Sequence, residues 1–472
     1  MAKEGRLFSH TLLLGSVTAL TKMLSFFLLP LYTAALTPAE FGTADILVST
    51  AVLLLPLVSL HAPEAVFRFR AAGERGALGI GVLLLALGCG VFALFLPLFG
   101  FSAVLKPYLG LLYLYVVASL LRSFLAHTLR ADGAFVMYAV QQLFCAVLTA
   151  FLQIFFLLRL DWGVKGYLWG VILGDTATFL LLLACRLPRL WQEGRGTRAL
   201  CRKMLRYSAP LIPTALLWWV ISISDRYILL YFWSEAETGL YAAAARLPTL
   251  LSFAVSVFLE AWHYAALRTE EGERAVLFGR IYALLLPALF FLSGALILAD
   301  TYLVRLFLSA EYAGAAALIP LLTLGVLCGG ISNFLDSIYT LRLSSFSSLL
   351  TSLAAAVCNL LLNFFLIPRY AAMGAALSTA ISFALLFLLR LWHTRRFLTF
   401  ARLESYVLTS LALLFAAALL YGVGKRGIST ALIIVSLAVL WRISVQALVF
   451  LWHRSRILLK SLKKTKKYRK KI

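Results

Sequence analysis

Acidic residues are scarce in this chain: 20 Asp and Glu stand against 43 Lys and Arg among 472 residues, and all charged residues together make up only 13%. A soluble domain draws about a quarter of its residues from the charged types, so this supply cannot cover a soluble surface of such length. Between the apolar blocks no stretch is long enough to fold as a separate soluble domain. The six cysteines (Cys89, Cys145, Cys185, Cys201, Cys328 and Cys358) are scattered, without metal-ligand spacing and outside any loop where a disulfide would form, which leaves packing as their role. A Walker A loop, a nucleophile elbow, an HExxH pair and a GxGxxG in a βαβ setting are all missing. Their absence argues against an ATPase or a soluble-type enzyme and gives no reason to expect a cofactor or a metal.

What the chain has is hydrophobicity, 62% of its residues, with a mean hydropathy of +0.94. It comes in blocks from Leu7 to Trp452, most of them long enough to cross a hydrocarbon core, which takes about 20 helical residues. Fourteen spans are expected, at about 7–36, 40–66, 77–100, 108–128, 134–158, 163–185, 206–232, 237–264, 277–298, 313–340, 346–367, 371–392, 404–423 and 428–452. The first block is too long for a cleavable signal peptide and lacks a small-residue cleavage site, so it reads as a retained span. The fold class is an all-α polytopic membrane protein, a class that usually moves something across the bilayer.

A net charge of +23 would suggest nucleic acid in a soluble protein; here its distribution gives another cause. Only Lys106, Arg159, Lys165, Arg305, Arg369, Lys425 and Arg426 fall in one set of loops, while Lys22, Arg122, Arg226, Arg246 and Arg442 lie inside spans. The remaining basic residues share the opposite side, which the positive-inside rule makes cytoplasmic, together with both termini. The tail after His453 carries ten Lys and Arg and no acid, and reads as an anchor for anionic lipids, each basic residue contributing about 1 kcal/mol. RNA is the weaker reading of that tail.

Two patterns recur along the chain. Leu36-Thr-Pro-Ala-Glu40-Phe-Gly42 follows the first span, and Trp233-Ser-Glu-Ala-Glu237-Thr-Gly239 follows the seventh. In each, a tight turn places a glutamate in the first turn of the next helix, where the helix dipole favours it, and a glycine that permits close packing. The second pair is Asp161-Trp-Gly163-Val-Lys-Gly166 before span 6 and Arg369-Tyr-Ala371-Ala-Met-Gly374 before span 12. Both pairs occur in the same order and on the same side, which argues for duplication. Six spans per copy imply a parallel repeat around a central cavity. The boundaries expected are an N-lobe over 1–185, a basic cytoplasmic linker over 186–206, a C-lobe over 207–400, two appended helices over 401–452 and the basic tail over 453–472.

These residues carry a resemblance. The run Asn359-Leu-Leu-Leu-Asn363-Phe-Phe-Leu-Ile-Pro368-Arg-Tyr370-Ala-Ala-Met-Gly374-Ala-Ala resembles a hallmark of bacterial polysaccharide flippases. So do Ser224-Asp225-Arg226-Tyr227, the following Glu237-Thr-Gly239-Leu-Tyr241, and the opening motif at Leu36–Gly42. All belong to the multidrug/oligosaccharidyl-lipid/polysaccharide exporter superfamily, and the resemblance covers essentially the whole chain. Ala371 departs from it, since the family usually has glycine there. The resemblance implies two six-helix lobes around a cavity opening alternately to each side. Members flip lipid-linked oligosaccharides or lipid II, and distant relatives export drugs by cation antiport.

Ionisable residues inside spans cost about 2.5–3.5 kcal/mol each, so each calls for a partner, a wet cavity or a function. Lys22 lies roughly 22 Å along span 1 from its cytoplasmic end at 1.5 Å per residue, on one face with Thr11, Gly15, Thr18 and Ser25. Cavity function and a structural ion pair are the two readings. Span 8 repeats the design with Arg246, Thr249, Ser256 and Glu260. The resemblance gives Arg246 a transport role, since lipid II flippases have an important arginine in the equivalent helix; the structural alternative pairs it with Asp225. Arg226 is turned about 100° from Asp225 on a helix, so the two need not share a partner, and outer-end snorkelling competes with a cavity role. Asp45 is either a helix-start cap or, by resemblance, the aspartate lipid II flippases carry there. Asp175, beside Thr176 and Thr178, suits proton or Na⁺ coupling, with a buried hydrogen bond to threonine as the alternative; Asp225 and Asp45 are further coupling candidates. Arg68 and Arg70 suit inner-leaflet headgroups or the substrate diphosphate. Asn359 and Asn363 read as interhelical hydrogen-bonding groups. Arg442, beside Trp441, packs against a lobe or lines a groove for the carrier's diphosphate.

Lys22, Arg226, Arg246 and Arg442 bias the expected cavity positive, which suits an anionic polyprenyl diphosphate sugar and not a cationic drug. The expected function is therefore flipping of a lipid-linked oligosaccharide in the bacterial cell membrane, with glycosyltransferases or a polymerase as pathway partners and no chemistry on the substrate. A lipid II flippase and a cation-coupled multidrug antiporter are the alternatives. A membrane glycosyltransferase would need a large outer catalytic loop, and every outer loop is short.

Overall fold

The computed structural model describes residues 2–74, 76–190, 196–268, 271–341, 345–395, 401–422, 424–439 and 441. Every regular element among them is helical, as hydrocarbon requires of open segments whose backbone groups must pair internally. In order they are α1 (Ala2–Phe27), α2 (Leu29–Ala35), α3 (Pro38–Ser59), α4 (Ala62–Ala71), α5 (Ala77–Phe95), α6 (Leu109–Ala131), α7 (Phe135–Leu158), α8 (Gly163–Leu190) and α9 (Arg198–Ser208). Then come α10 (Leu211–Phe232), α11 (Glu235–Arg246), α12 (Thr249–Arg268), α13 (Glu271–Leu298), α14 (Asp300–Phe307), α15 (Ile319–Leu341), α16 (Ser345–Thr394), α17 (Ala401–Gly422) and α18 (Arg426–Val439).

Nine of these helices are long and apolar enough to cross a membrane, eleven if two bent pairs each count as one span, and the shorter apolar helices of α17 and α18 stand where spans 13 and 14 were expected. Hydropathy located the spans but not their breaks. Span 1 divides at Leu28, with Pro30 in the first turn of α2, and span 2 divides into α3 and α4. Span 8 breaks between α11 and α12, at Leu247–Pro248. Spans 11 and 12 form one run, α16, kinked at Ala371 (φ 48°, ψ −134°). Ala371 thus adopts a backbone conformation that glycine tolerates and a Cβ resists, at a cost of order 1–3 kcal/mol. Its counterpart Gly163 also has positive φ, 51°.

By contact the chain divides into two compact units: residues 1–247, 302–316 and 352–379 form the first, and 248–301, 317–351 and 380–472 the second. In the first, α7 packs along α8, α6 along α8, α4 along α6, and α3 along α11. In the second, α15 is central, packing against α12, α13 and α17.

The α3–α11 crossing joins the two copies of the first repeated motif. Thr37 caps α3 in a reciprocal capping box with Glu40, and Ser234 caps α11 by accepting from the Glu237 amide at 3.2 Å. A Cβ on Gly42 would lie 2.0 Å from the Glu235 carbonyl oxygen, and one on Gly239 would lie 1.8 Å from the Pro38 carbonyl oxygen. Each glycine meets the carbonyl two residues before the other motif's glutamate. The contact is reciprocal and made of backbone.

Candidate functional site

Close approach of α3 and α11 sets the geometry of a buried ionic cluster in the first unit. Asp45 of α3 lies beside Arg226 of α10, with Arg226 Nε 2.6 Å from Asp45 Oδ2. Arg226 Nη1 also lies 3.4 Å from Asp225 Oδ1 and donates to the Ser222 carbonyl at 2.8 Å. Tyr241 of α11 donates to Asp225 Oδ2, and Thr379 Oγ1 reaches the same oxygen at 3.3 Å. From the end of α11, Arg246 Nη2 reaches Asp45 at 3.5 Å, its side chain 43% exposed. Tyr227 and Trp219 tie α10 to α3 through Thr50 (2.6 Å) and the Ser49 carbonyl (2.9 Å).

This geometry corrects three expectations. Asp225 is held by Arg226 rather than Arg246. Arg226 does not snorkel away from Asp225 but bridges it to Asp45, its long side chain overcoming the angular offset. Asp45 is no helix cap, since Thr37 performs that role and Asp45 is buried in the cluster.

A second cluster in the same unit contains Asp175 of α8. Arg122 Nε of α6 is 2.6 Å from Asp175 Oδ1, Ser119 donates to Oδ2, and Cys145 Sγ lies 3.2 Å from Oδ1. The expected threonine partner is replaced by Arg122, because the Thr178 hydroxyl donates to the Gly174 carbonyl. Arg122 and Cys145 are members that sequence reasoning missed. An arginine inside span 4 was the one available signal.

Lys22 lies on α1, exposed, and makes no ion pair among the described residues. Along its stripe Thr18 is half-buried, and Ser25 is exposed and bonds the Thr21 carbonyl. Asn359 and Asn363 are fully buried and bond each other along α16 at 3.0 Å rather than reaching a neighbouring helix, as their one-turn spacing allows. Arg70 pairs with Asp132 at 2.6 Å, and Arg68 lies 4.9 Å over the Tyr207 ring. Glu260 falls on α12 of the second unit. Arg442 and the tail over 453–472 lie outside the described residues.

The second unit holds an ion pair of its own. Arg390 of α16, only 4% exposed, is 3.0 Å from Asp336 of α15 and donates to the Ser332 carbonyl at 2.9 Å. Hydropathy alone had placed Arg390 with the basic residues at the inner surface.

A cavity of about 670 Å³ opens in the first unit between α3, α4, α6 and α10. Pro56, Trp218 and Trp219 give it apolar walls, and Ser59, His61, Glu64, Ser123 and Thr214 supply its polar groups. Lys22, Arg226 and Arg246 do not line it.

A family model described as polysaccharide biosynthesis protein matches residues 7–263. No curated protein matches the sequence. Among solved structures, the lipid II flippase MurJ in an inward closed conformation is similar at a TM-score of 0.68 and 15% identity, covering 91% of this chain and 99% of that one. An inward-facing multidrug resistance MATE family transporter of the MOP superfamily gives 0.63 at 13% identity, covering 80% and 98%. An outward-facing transporter of that description gives 0.57 at 14%, covering 82% and 94%. The fold is theirs: an all-α polytopic membrane architecture.

Proposed function

The chain belongs to the polysaccharide biosynthesis protein family, and on that premise we propose that it flips a polyprenyl-diphosphate-linked oligosaccharide across the bacterial cell membrane by alternating access. The observation that carries this reading is the charge left over inside the spans. Asp45, Asp225 and Asp175 are occupied by Arg226 and Arg122, whereas Lys22 is exposed and, among the described residues, makes no ion pair. Membrane proteins seldom keep cations in spans without a use for them. A diphosphate supplies the missing negative charge, and its cost at the midplane falls when cations await it. Lipid II carries the same diphosphate and fits the same cations.

Lys22→Ala and Arg246→Ala are each expected to slow flipping by about ten- to a hundredfold, the value of a charge-assisted hydrogen bond, while the protein still accumulates. Lys22→Arg should keep much of the activity, and Arg246→Lys should lose more because it gives up bidentate contact. Flipping of a lipid-linked sugar in proteoliposomes, read beside protein level, is the assay. Normal flipping in both alanine variants would remove these cations from the mechanism.

Both termini are proposed to face the cytoplasm, with the Leu36–Gly42 and Trp233–Gly239 turns outside. Single cysteines at the exposed Ala39, Ala236 and Gly427, in a cysteine-free background, should react with an impermeant thiol reagent added to intact cells. Protection of all three, with labelling at Thr197 instead, would reverse the orientation.

A further inference from the structure

The linker between α8 and α10 contains a helix, α9, with two opposed faces. Leu200, Met204 and Ser208 are buried, α9 packs on α4, α5 and α10, and the Tyr207 ring meets Phe69 of α4 edge-on at 6.0 Å. On the other side Arg198, Arg202 and Arg206 stand at i, i+4 and i+8, all exposed, with Lys203 beside them. A helix lying on a membrane ordinarily sinks its apolar face into the acyl boundary. Here protein has taken that face, so only charge is left for an outside partner.

That charge has no counterpart in the described structure. No acid occurs in α9, and among the described residues Arg198, Arg202 and Arg206 make no ion pair. Lys203 approaches Glu74 at 3.8 Å, with both side chains exposed, and Asp132 is held by Arg70. Arg68 of α4, also exposed, adds a further cation 4.9 Å over the Tyr207 ring. Like charges at i, i+4 work against a helix, and Arg198, as its first residue, opposes the helix dipole. An external anionic surface relieves both.

Position identifies that surface. α9 ends at Ser208, and the apolar helix α10 begins at Leu211. Before its other end, a Cβ on Gly196 would lie 2.4 Å from the Ile80 side chain and 3.0 Å from the Gly76 carbonyl oxygen, where α5 begins. Both ends of α9 thus lie where apolar helices start, within reach of headgroup charge, which acts over a Debye length of about 8 Å at physiological salt. From Arg198 to Arg206 the ridge runs roughly 12 Å at 1.5 Å per residue. Cations spread along an exposed ridge suit a field of phosphates better than a single soluble anion, which needs them gathered round a pocket.

We propose that the basic face of α9, extended by Arg68, is a docking surface for the anionic headgroups of membrane lipids, which hold the linker against the bilayer. The proposal depends neither on the flippase reading nor on which side of the membrane carries α9.

Hydrogen–deuterium exchange of the full-length protein in nanodiscs reads α9 separately from the basic tail. With phosphatidylglycerol mixed into phosphatidylcholine, the amides of residues 200–208 should exchange about fivefold or more slowly than in phosphatidylcholine alone, the worth of one basic residue's attraction to an anionic surface. Salt at about 1 M, where the Debye length falls to about 3 Å, should abolish the difference. The triple variant Arg198→Gln, Arg202→Gln, Arg206→Gln should exchange at one rate in both lipids, and wild-type exchange in phosphatidylcholine is the check that its helix is intact. Arg198→Lys, Arg202→Lys and Arg206→Lys together should keep the protection, because a diffuse surface asks for charge rather than bidentate geometry. Equal exchange of the wild type in both lipids overturns the proposal, as does protection that survives the triple glutamine variant or high salt. Inorganic phosphate that protects α9 in phosphatidylcholine as well as phosphatidylglycerol does would overturn lipid as the partner.

Discussion

Replacing Arg226 by alanine is expected to remove most of the folded protein from the membrane. Its guanidinium is shared by two buried carboxylates, 2.6 Å from Asp45 and 3.4 Å from Asp225. Breaking one buried pair costs about 3–5 kcal/mol because it leaves an uncompensated charge, and here two are left at once. Net stabilities of about 5–15 kcal/mol seldom survive such a loss. Adding Asp45→Asn and Asp225→Asn to the Arg226→Ala background should restore part of the abundance, since the stranded charges are then gone. Membrane protein level and thermal midpoint are the measurements. Wild-type values for Arg226→Ala would mean that the cluster contributes nothing to stability.

Gly239→Ala should be nearly as damaging, although it adds one methyl group. The new carbon would sit 1.8 Å from the Pro38 carbonyl oxygen and 2.8 Å from the Gly42 nitrogen, both backbone atoms that no rotamer change can move. Only separation of α3 from α11 relieves the clash. Overpacking costs about 1–3 kcal/mol where side chains can adjust, and more is expected where they cannot. Gly42→Ala should give the same phenotype from the other side, with a lowered melting temperature and loss of transport. Gly79 and Gly90, also helical, have open space where a Cβ would go. Alanine at those two positions should be tolerated, and equal damage there would show that helix glycines matter for some other reason than this crossing.

The helices were legible in the sequence because lipid leaves an apolar chain few alternatives. The breaks were less so. Leu60–His61 turns without a glycine to announce it, whereas Ala371 was noticed because alanine stands where glycine is usual, and its positive φ explains the preference. The ionic clusters could be read only as unpaired charges. Asp45 and Arg226 lie far apart in the sequence, and no pattern of spacing connects them, since their meeting depends on how α3 crosses α11. Arg122 was visible inside a span yet unassigned for the same reason. Arg390 was misplaced because a basic residue near a helix end follows the positive-inside pattern whether it faces headgroups or is buried beside Asp336.

The α3–α11 crossing also gives a physical reason for the likeness of Leu36–Gly42 and Trp233–Gly239. At Gly42 and Gly239 each motif is the other's neighbour, and the contact offers no side chains through which a change on one side might be accommodated on the other. A substitution in either motif is therefore judged against the backbone of the other. Mutual constraint of this kind keeps two sequences alike, so the shared glycine marks where the two segments touch.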